Sequence, residues 1–166
     1  QSAGLSADWE DATVTGEESL DDLIAQLDQS TTDTLAYFRG AGRDNMARLG
    51  DWGAWEVLVH FLHWHYATAW GIASAAVGGE PWRVSGDHNV INDACLRLHA
   101  GESFDELIAE LERAQGRLVR EARAVTDLDA PAFSWPGIGL VSIRKRLRTI
   151  AQHWREHLEE LQATAD

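Results

Sequence analysis

The charge-free segment at residues 57–77 places the strongest constraint on the fold. It reads VLVHFLHWHYATAWGIASAAV and contains no Asp, Glu, Lys or Arg. A segment of this length and composition either crosses a bilayer or forms a helix that is buried on nearly all sides within a protein. The buried helix is favoured because three histidines lie near its start, no Lys or Arg flanks it, and the remaining chain is acidic. We therefore expect no membrane partner.

Three further segments repeat apolar residues with the period of a helix. The first helix is predicted to begin after an N-cap at Ser19 and to end near the sequence GAG. The charge-free helix is entered near Gly53 and ends at a pair of glycines. The third helix opens with a capping box from Ser103 to Glu106, and the last helix covers about residues 141–162.

Four long helices with mostly short connections predict an all-α fold, an up-down four-helix bundle. No continuous run of alternating apolar and polar residues predicts a sheet, and DLDAPAFSWPGIG is predicted to be a loop. The middle connection, DHNVINDACLRLHAG, is expected to contain an extra short helix. Residues 1–18 are interpreted as an acidic lead-in, and residues 19–166 as the bundle domain.

Composition excludes several classes of function. Fourteen Lys and Arg against 27 Asp and Glu give a formal charge of -13, which repels nucleic acid. The single cysteine, Cys95, excludes an intrachain disulfide and a cysteine-rich zinc cluster. Cys95 is more typical of a buried structural residue than of a nucleophile, and we expect a cytoplasmic protein.

Two histidines four residues apart, His153 and His157, lie on the predicted last helix. Side chains at this spacing point in the same direction, so the pair could provide two ligands to one metal ion. Both lie beside the apolar stripe of the helix and therefore face a seam of the bundle. A solvated pair is the alternative interpretation.

A third ligand has to come from another element, and the charge-free helix offers three histidines. His60 is favoured because it shares a face with apolar and small residues, and small Gly71 on that face could leave room for a pocket. His63 is rotated by about 60° and remains a fallback ligand, whereas His65 points away. Three imidazoles with open coordination positions suit zinc, and nickel or iron would also accept them.

The combination of motifs resembles the DinB/YfiT-like superfamily. The segment WEVLVHFLHW is similar to that family's second-helix signature, and IAQHWREHLEEL is similar to its last-helix H-x-x-x-H. The middle stretch VINDACLRLHAGESFDELIAELERAQGRLVREARAVTDLD is similar to its Asn-containing helix, Ser cap and third helix. The resemblance spans about residues 19–162, in the family's order.

This resemblance implies a metal triad of His60, His153 and His157 in a four-helix bundle that forms a homodimer. It also implies a metal-dependent thiol transferase, isomerase or hydrolase that acts on a small electrophilic substrate. The nucleophile would be a low-molecular-weight thiol, mycothiol in particular, or water. One branch of the family resembles colibactin self-resistance proteins, which open an electrophilic cyclopropane.

Other residues receive weaker roles. Glu56 is adjacent to the turn that carries His60 and could orient that ligand without binding the metal itself. Trp64 and Trp154 could wall a pocket or simply belong to the core. A basic cluster at Arg144, Lys145, Arg146 and Arg148 could attract carboxylates of a thiol cofactor or substrate, or form a solvated face.

Two alternatives without catalysis also fit the sequence. The eight tryptophans are compatible with a self-resistance protein that sequesters an aromatic small molecule. A purely structural dimer, with the charge-free helix as its interface, is the other alternative. Tight metal that is lost on substituting His60 and His153 would support the enzyme, and absence of metal with retained binding of an aromatic ligand would support sequestration. Neither result, with a dimer that substitutions in the charge-free helix break, would support the structural dimer.

Overall fold

The structure is a computed structural model. It describes residues 18–46, 48–84 and 86–164. The predicted lead-in at residues 1–18 lies outside the described residues except for Glu18. In chain order the elements are α1 (Leu20–Arg39), a short 3-10 helix (Ala41–Arg43), α2 (Ala54–Ala76), β1 (Trp82–Arg83), α3 (His88–Leu98), α4 (Phe104–Arg123), β2 (Pro131–Trp135), β3 (Gly139–Ser142) and α5 (Ile143–Ala163).

The helix starts predicted from the sequence are confirmed. Ser19 caps α1 by accepting a hydrogen bond from the Asp22 N–H, and Ser103 caps α4 by accepting one from the Glu106 N–H. These caps satisfy backbone donors that the first turn leaves unpaired. The expected short helix in the middle connection is α3.

Helix α2 is the most buried long element, as the charge-free sequence predicts. It packs mainly against α4 and α5, and α1 packs against the same two helices. The apolar faces of all four long helices meet in one core, with Phe61 and Trp154 among its largest fully buried side chains. Among the described residues, no helix is long and apolar enough to cross a membrane.

The segment predicted to be a loop instead forms most of a three-stranded sheet. Strand β2 pairs with β1 in parallel and with β3 antiparallel, and Phe133 faces Val141 across the hairpin. The strand signal in the sequence is short and interrupted by proline and glycine, so local propensity does not reveal it. Burial of Phe133 and Val141 in the core supplies the stabilisation that the local sequence lacks. The mostly helical class is confirmed, with this small sheet added.

Gly71 does not open a pocket, contrary to the expectation from its size. A Cβ at this position would lie 2.7 Å from Cε2 of Phe133 and 2.8 Å from the Ala132 carbonyl oxygen. Glycine is therefore required for the close approach of β2 to α2. This contact fixes the hairpin beside the helix that carries His60.

Candidate metal centre

Three histidines from two helices meet at one seam of the bundle. His60 comes from α2, and His153 and His157 come from consecutive turns of α5. Each offers one ring nitrogen, and these three atoms all lie within 4.8 Å of one another. His60 and His157 are buried, and His153 is half-buried. The triad predicted from the sequence is therefore close enough in space to bind one metal ion.

Asn92 of α3 determines which nitrogen of His60 is available. The Asn92 Oδ1 atom lies 3.3 Å from Trp64 Nε1 and 3.1 Å from His60 Nδ1. Since an indole nitrogen can only donate, the atom that faces it must be the amide oxygen. That oxygen also accepts the Nδ1 hydrogen of His60, which leaves the Nε2 lone pair of His60 for the cluster.

Glu160 orients His157 in the same way. The Nδ1 atom of His157 lies 3.0 Å from a carboxylate oxygen of Glu160, one turn later on α5. The opposite nitrogen, Nε2, is buried and has no hydrogen-bond partner among the described residues. An unpaired buried polar atom destabilises the folded state, so we expect this nitrogen to bind a ligand.

The two remaining nitrogens lie close to this unpaired atom. His60 Nε2 lies 3.0 Å from His153 Nε2, and the His153 and His157 ring centroids are 4.3 Å apart. Burial holds the pKa of His60 well below its usual range, and the neighbouring imidazoles lower it further. Burial, with smaller contributions from His157 and Arg146, lowers the pKa of His153 to about 3. Both rings are thus neutral at pH 7, the form that binds a metal.

The donor set fits a divalent metal. Zinc binds histidine nitrogens at about 2.0–2.1 Å in a tetrahedral arrangement, so two of its ligands lie roughly 3.3 Å apart. The three nitrogens here need only small side-chain movements to reach such positions. Asn92 and Glu160 hold the other ring nitrogens, as supporting partners of metal-bound histidines usually do.

His65 occupies a different buried environment on the same helix. Its Nδ1 accepts the indole N–H of Trp154 at 3.0 Å, and its Nε2 donates to Gln115 Oε1 at 2.5 Å. Gln115 in turn donates to Asp28 at the surface. We call these four residues the His65 chain. Both nitrogens of His65 have protein partners, so the prediction that it stands apart from the site agrees with its placement.

The structure places two other sequence candidates away from the ligand nitrogens. Glu56 accepts the Gly53 N–H at 2.9 Å and so caps the start of α2. The hydrogen bonds that orient His60 and His157 come instead from Asn92 and Glu160. His63 is half-buried against Trp64 and is not part of the cluster.

The two candidate pocket tryptophans have different surroundings. Trp154 is only 1% exposed, and its indole N–H is bound to His65. It therefore forms a buried floor under the histidines and not an open wall. Trp64 reaches toward Asn92 and stacks on Trp135 of β2 at a ring separation of 5.2 Å. The stacked pair of Trp64 and Trp135 extends from the triad toward the hairpin.

Sequence patterns alone missed Asn92 and Glu160 as partners of the triad. Glu160 could have been found, because it lies three residues after His157 and helical neighbours at this spacing can interact. Asn92 lies on a separate helix, and no spacing in the sequence links it to His60.

A scan against protein-family models, a search of curated proteins and a search of solved structures found no match to this chain. The DinB/YfiT-like resemblance therefore rests on the sequence motifs, and membership of that superfamily stays a prediction.

Proposed function

We propose that this chain is a metal-dependent enzyme of the DinB/YfiT-like type, with His60, His153 and His157 as its metal ligands. The observation that carries the proposal is the buried, partnerless Nε2 of His157 beside the ring nitrogens of His60 and His153. By contrast, the buried His65 on the same helix as His60 has protein partners for both of its ring nitrogens. Zinc is the first candidate metal, with nickel or iron as alternatives.

The chain's own residues prepare the site for this role. Asn92 and Glu160 accept the Nδ1 hydrogens of His60 and His157 and so keep one lone pair of each ring directed at the cluster. Trp154 and Phe61 pack beneath the rings and restrict water on that side. A divalent metal held there supplies Lewis acidity and lowers the pKa of a thiol or water that reaches it.

The reaction that we propose is attack by a low-molecular-weight thiol, such as mycothiol, on a small electrophile. The thiol loses its proton to solvent, and its sulfur electron pair forms a bond to the electrophilic carbon. The displaced electron pair leaves with a leaving group in a transfer, or moves to the neighbouring carbon in an addition that precedes isomerisation. Water as the nucleophile would give hydrolysis. We further propose that the enzyme acts as a homodimer.

The test uses N-acetylcysteine as the thiol and 1-chloro-2,4-dinitrobenzene as the electrophile. Formation of the thioether and chloride is followed by absorbance for zinc-loaded protein, metal-free protein and the His153→Ala variant. We expect zinc-loaded wild type to accelerate the reaction and the other two to lose the acceleration. Hydrolysis to dinitrophenol without thiol reports the water branch. A protein that binds zinc and accelerates neither reaction would contradict the proposal for these chemistries and favour sequestration.

A further inference from the structure

Two largely exposed tryptophans flank an open groove between the end of α2 and β1. Trp70 is 54% exposed and Trp82 is 37% exposed, although tryptophan side chains are highly buried on average. Together with Ser74 and Glu80 they line a groove of about 440 Å³, which is large enough for a small organic molecule. The ten residues from His60 to Trp70 span about 15 Å of helix axis, so this groove is separate from the triad.

The protein holds each of these indole rings from one side. Trp82 stacks on Phe133, with ring centroids 5.9 Å apart and an angle of 20° between the ring planes. The guanidinium carbon of Arg117 lies 4.3 Å from the ring centroid of Trp70, so this ring already binds one cation within the fold. Since both tryptophans remain largely exposed, part of each ring is available to a ligand, and little side-chain entropy is lost on binding.

The polar groups of the groove favour a cation. Among the described residues that line it, Glu80 is the only ionisable one, and none of the described residues forms a hydrogen bond or ion pair with its carboxylate. The Ser74 hydroxyl donates to the Glu80 carbonyl oxygen at 2.8 Å, so the Ser74 oxygen has only acceptor lone pairs left. The adjacent C-terminal end of α2 carries the negative end of the helix dipole, and its last turn, IASAA, contains no Lys or Arg.

Two arginines near the groove leave this negative charge in place. The Nε atom of Arg117 lies 3.7 Å from a carboxylate oxygen of Glu121, with which it forms an ion pair. Arg83 follows Trp82 in β1, and successive side chains of a strand point to opposite faces of the sheet. The formal charge of -13 on the whole chain also favours the approach of a cation.

We propose that this groove binds a small quaternary ammonium cation through Trp70, Trp82 and Glu80. The face of an indole ring attracts such a cation electrostatically, without hydrogen bonds from the ligand. The Glu80 carboxylate adds a Coulombic attraction. A neutral ligand of the same shape would make only the apolar contacts, and an anion would be repelled. The proposal needs no metal and does not depend on the function proposed for the triad.

The test is an NMR titration of ¹⁵N-labelled protein with choline at constant ionic strength, with 3,3-dimethyl-1-butanol as the neutral ligand of the same shape. The indole N–H signals of the tryptophans report where each ligand binds, and the variants Trp70→Phe and Trp82→Phe identify the two signals of the groove. We expect choline to shift these two signals and the alcohol to bind about fivefold or more weakly.

Substitutions separate the aromatic contribution from the charge. Glu80→Gln keeps the shape of the side chain and should weaken choline binding about two- to fivefold without changing the affinity for the alcohol. Trp70→Leu should weaken choline binding by about the same factor, and the double variant by about tenfold. Glu159→Gln removes an exposed carboxylate of α5 and is the matched control, with choline affinity expected to equal that of wild type.

Three results would overturn the proposal. One is a folded wild-type protein that binds choline no more tightly than the alcohol. Another is wild-type choline affinity in both Glu80→Gln and Trp70→Leu. The third is a wild-type dimer that does not respond to choline and that Trp70→Leu converts to a monomer in analytical ultracentrifugation, because the groove would then be an interface between two copies of this chain.

Discussion

Helix α2 carries two buried histidine environments that differ in one respect. In the His65 chain, both ring nitrogens have protein partners, Trp154 on one side and Gln115 on the other. In the triad, the protein binds the Nδ1 atoms of His60 and His157 and directs the opposite nitrogens toward one another. In the His65 chain, the protein itself satisfies both ring nitrogens. In the triad, a bound ligand is needed to satisfy the remaining nitrogen of His157. Burial alone therefore does not separate a structural histidine from a ligand, whereas the partners of each nitrogen do.

The largest effect should come from removing one triad nitrogen. His157→Ala is expected to weaken zinc binding by more than about 100-fold, since loss of even a supporting partner costs about 10- to 100-fold. Zinc affinity is measured by competition with a chromophoric chelator. His63→Ala, a nearby histidine of α2 outside the cluster, is the matched control and should bind zinc like wild type. An equal loss of zinc affinity in His157→Ala and His63→Ala would show that the triad is not distinguished from a nearby histidine as a zinc ligand.

Breaking the His65 chain should affect stability instead. His65→Leu leaves the indole N–H of Trp154 and the amide oxygen of Gln115 without their partner, and we expect a loss of about 3 kcal/mol in the free energy of unfolding. Urea unfolding measures this loss. Zinc affinity should change by less than about tenfold, because no ligand nitrogen is removed. A stable variant that had lost zinc binding would reverse the roles assigned to the two environments.

Acid should destabilise the metal-free protein partly through His65. Burial lowers the pKa of His65 from 6.5 to about 4 in the folded protein. Between these values the unfolded chain binds a proton that the folded protein does not. The contribution is therefore fully present above about pH 6.5 and is lost as the pH falls toward about 4. It amounts to about 3 kcal/mol.

His65→Gln isolates this contribution, because His60 and His153 titrate in the same direction and remain in the variant. Urea unfolding of both metal-free proteins at about pH 7 and pH 4.5 should show the smaller loss of stability in His65→Gln. Parallel losses in the two proteins would show that His65 is not the group responsible.

The smallest of these effects belongs to Asn92. Asn92→Ala removes the acceptor that fixes the His60 ring, and we expect zinc affinity to fall by about 10- to 100-fold, less than for a lost ligand. The same chelator competition measures it. Glu56→Ala is a useful comparison, because Glu56 caps α2 at Gly53 and should leave zinc affinity unchanged. If Glu56→Ala weakened zinc binding more than Asn92→Ala did, the sequence prediction for Glu56 would be restored.

The sequence predicts those features that depend on spacing along one helix. The i, i+4 pair on α5 and the charge-free α2 lead to the three histidines that the structure brings within 4.8 Å. The contact between α2 and α5 at the triad was predicted from the resemblance to a family, whereas other contacts between separate elements were not accessible from the sequence. Asn92 reaches His60 from α3, and Phe133 packs against Gly71 to hold an unexpected hairpin. Both contacts depend on tertiary packing, which overrides weak local signals.

The basic cluster illustrates the same limit. Arg144, Lys145, Arg146 and Arg148 cannot be ranked from the sequence, because each is a cation on one predicted helix. Ion pairs with Asp129 and Glu18 account for Arg144 and Arg148, and burial without a carboxylate distinguishes Arg146.

Zinc titration of untagged, metal-free protein, followed by both calorimetry and thermal unfolding, tests the central claim most directly. We expect one zinc ion per chain at saturation, and none for the His60→Ala, His153→Ala double variant. Free zinc at about 1,000 times its dissociation constant should add about 4 kcal/mol to the free energy of unfolding. For a domain of this size the melting temperature should then rise by roughly 10 °C. Well under one zinc per chain, with no rise in melting temperature for zinc, nickel or iron, would contradict a metal site at the triad.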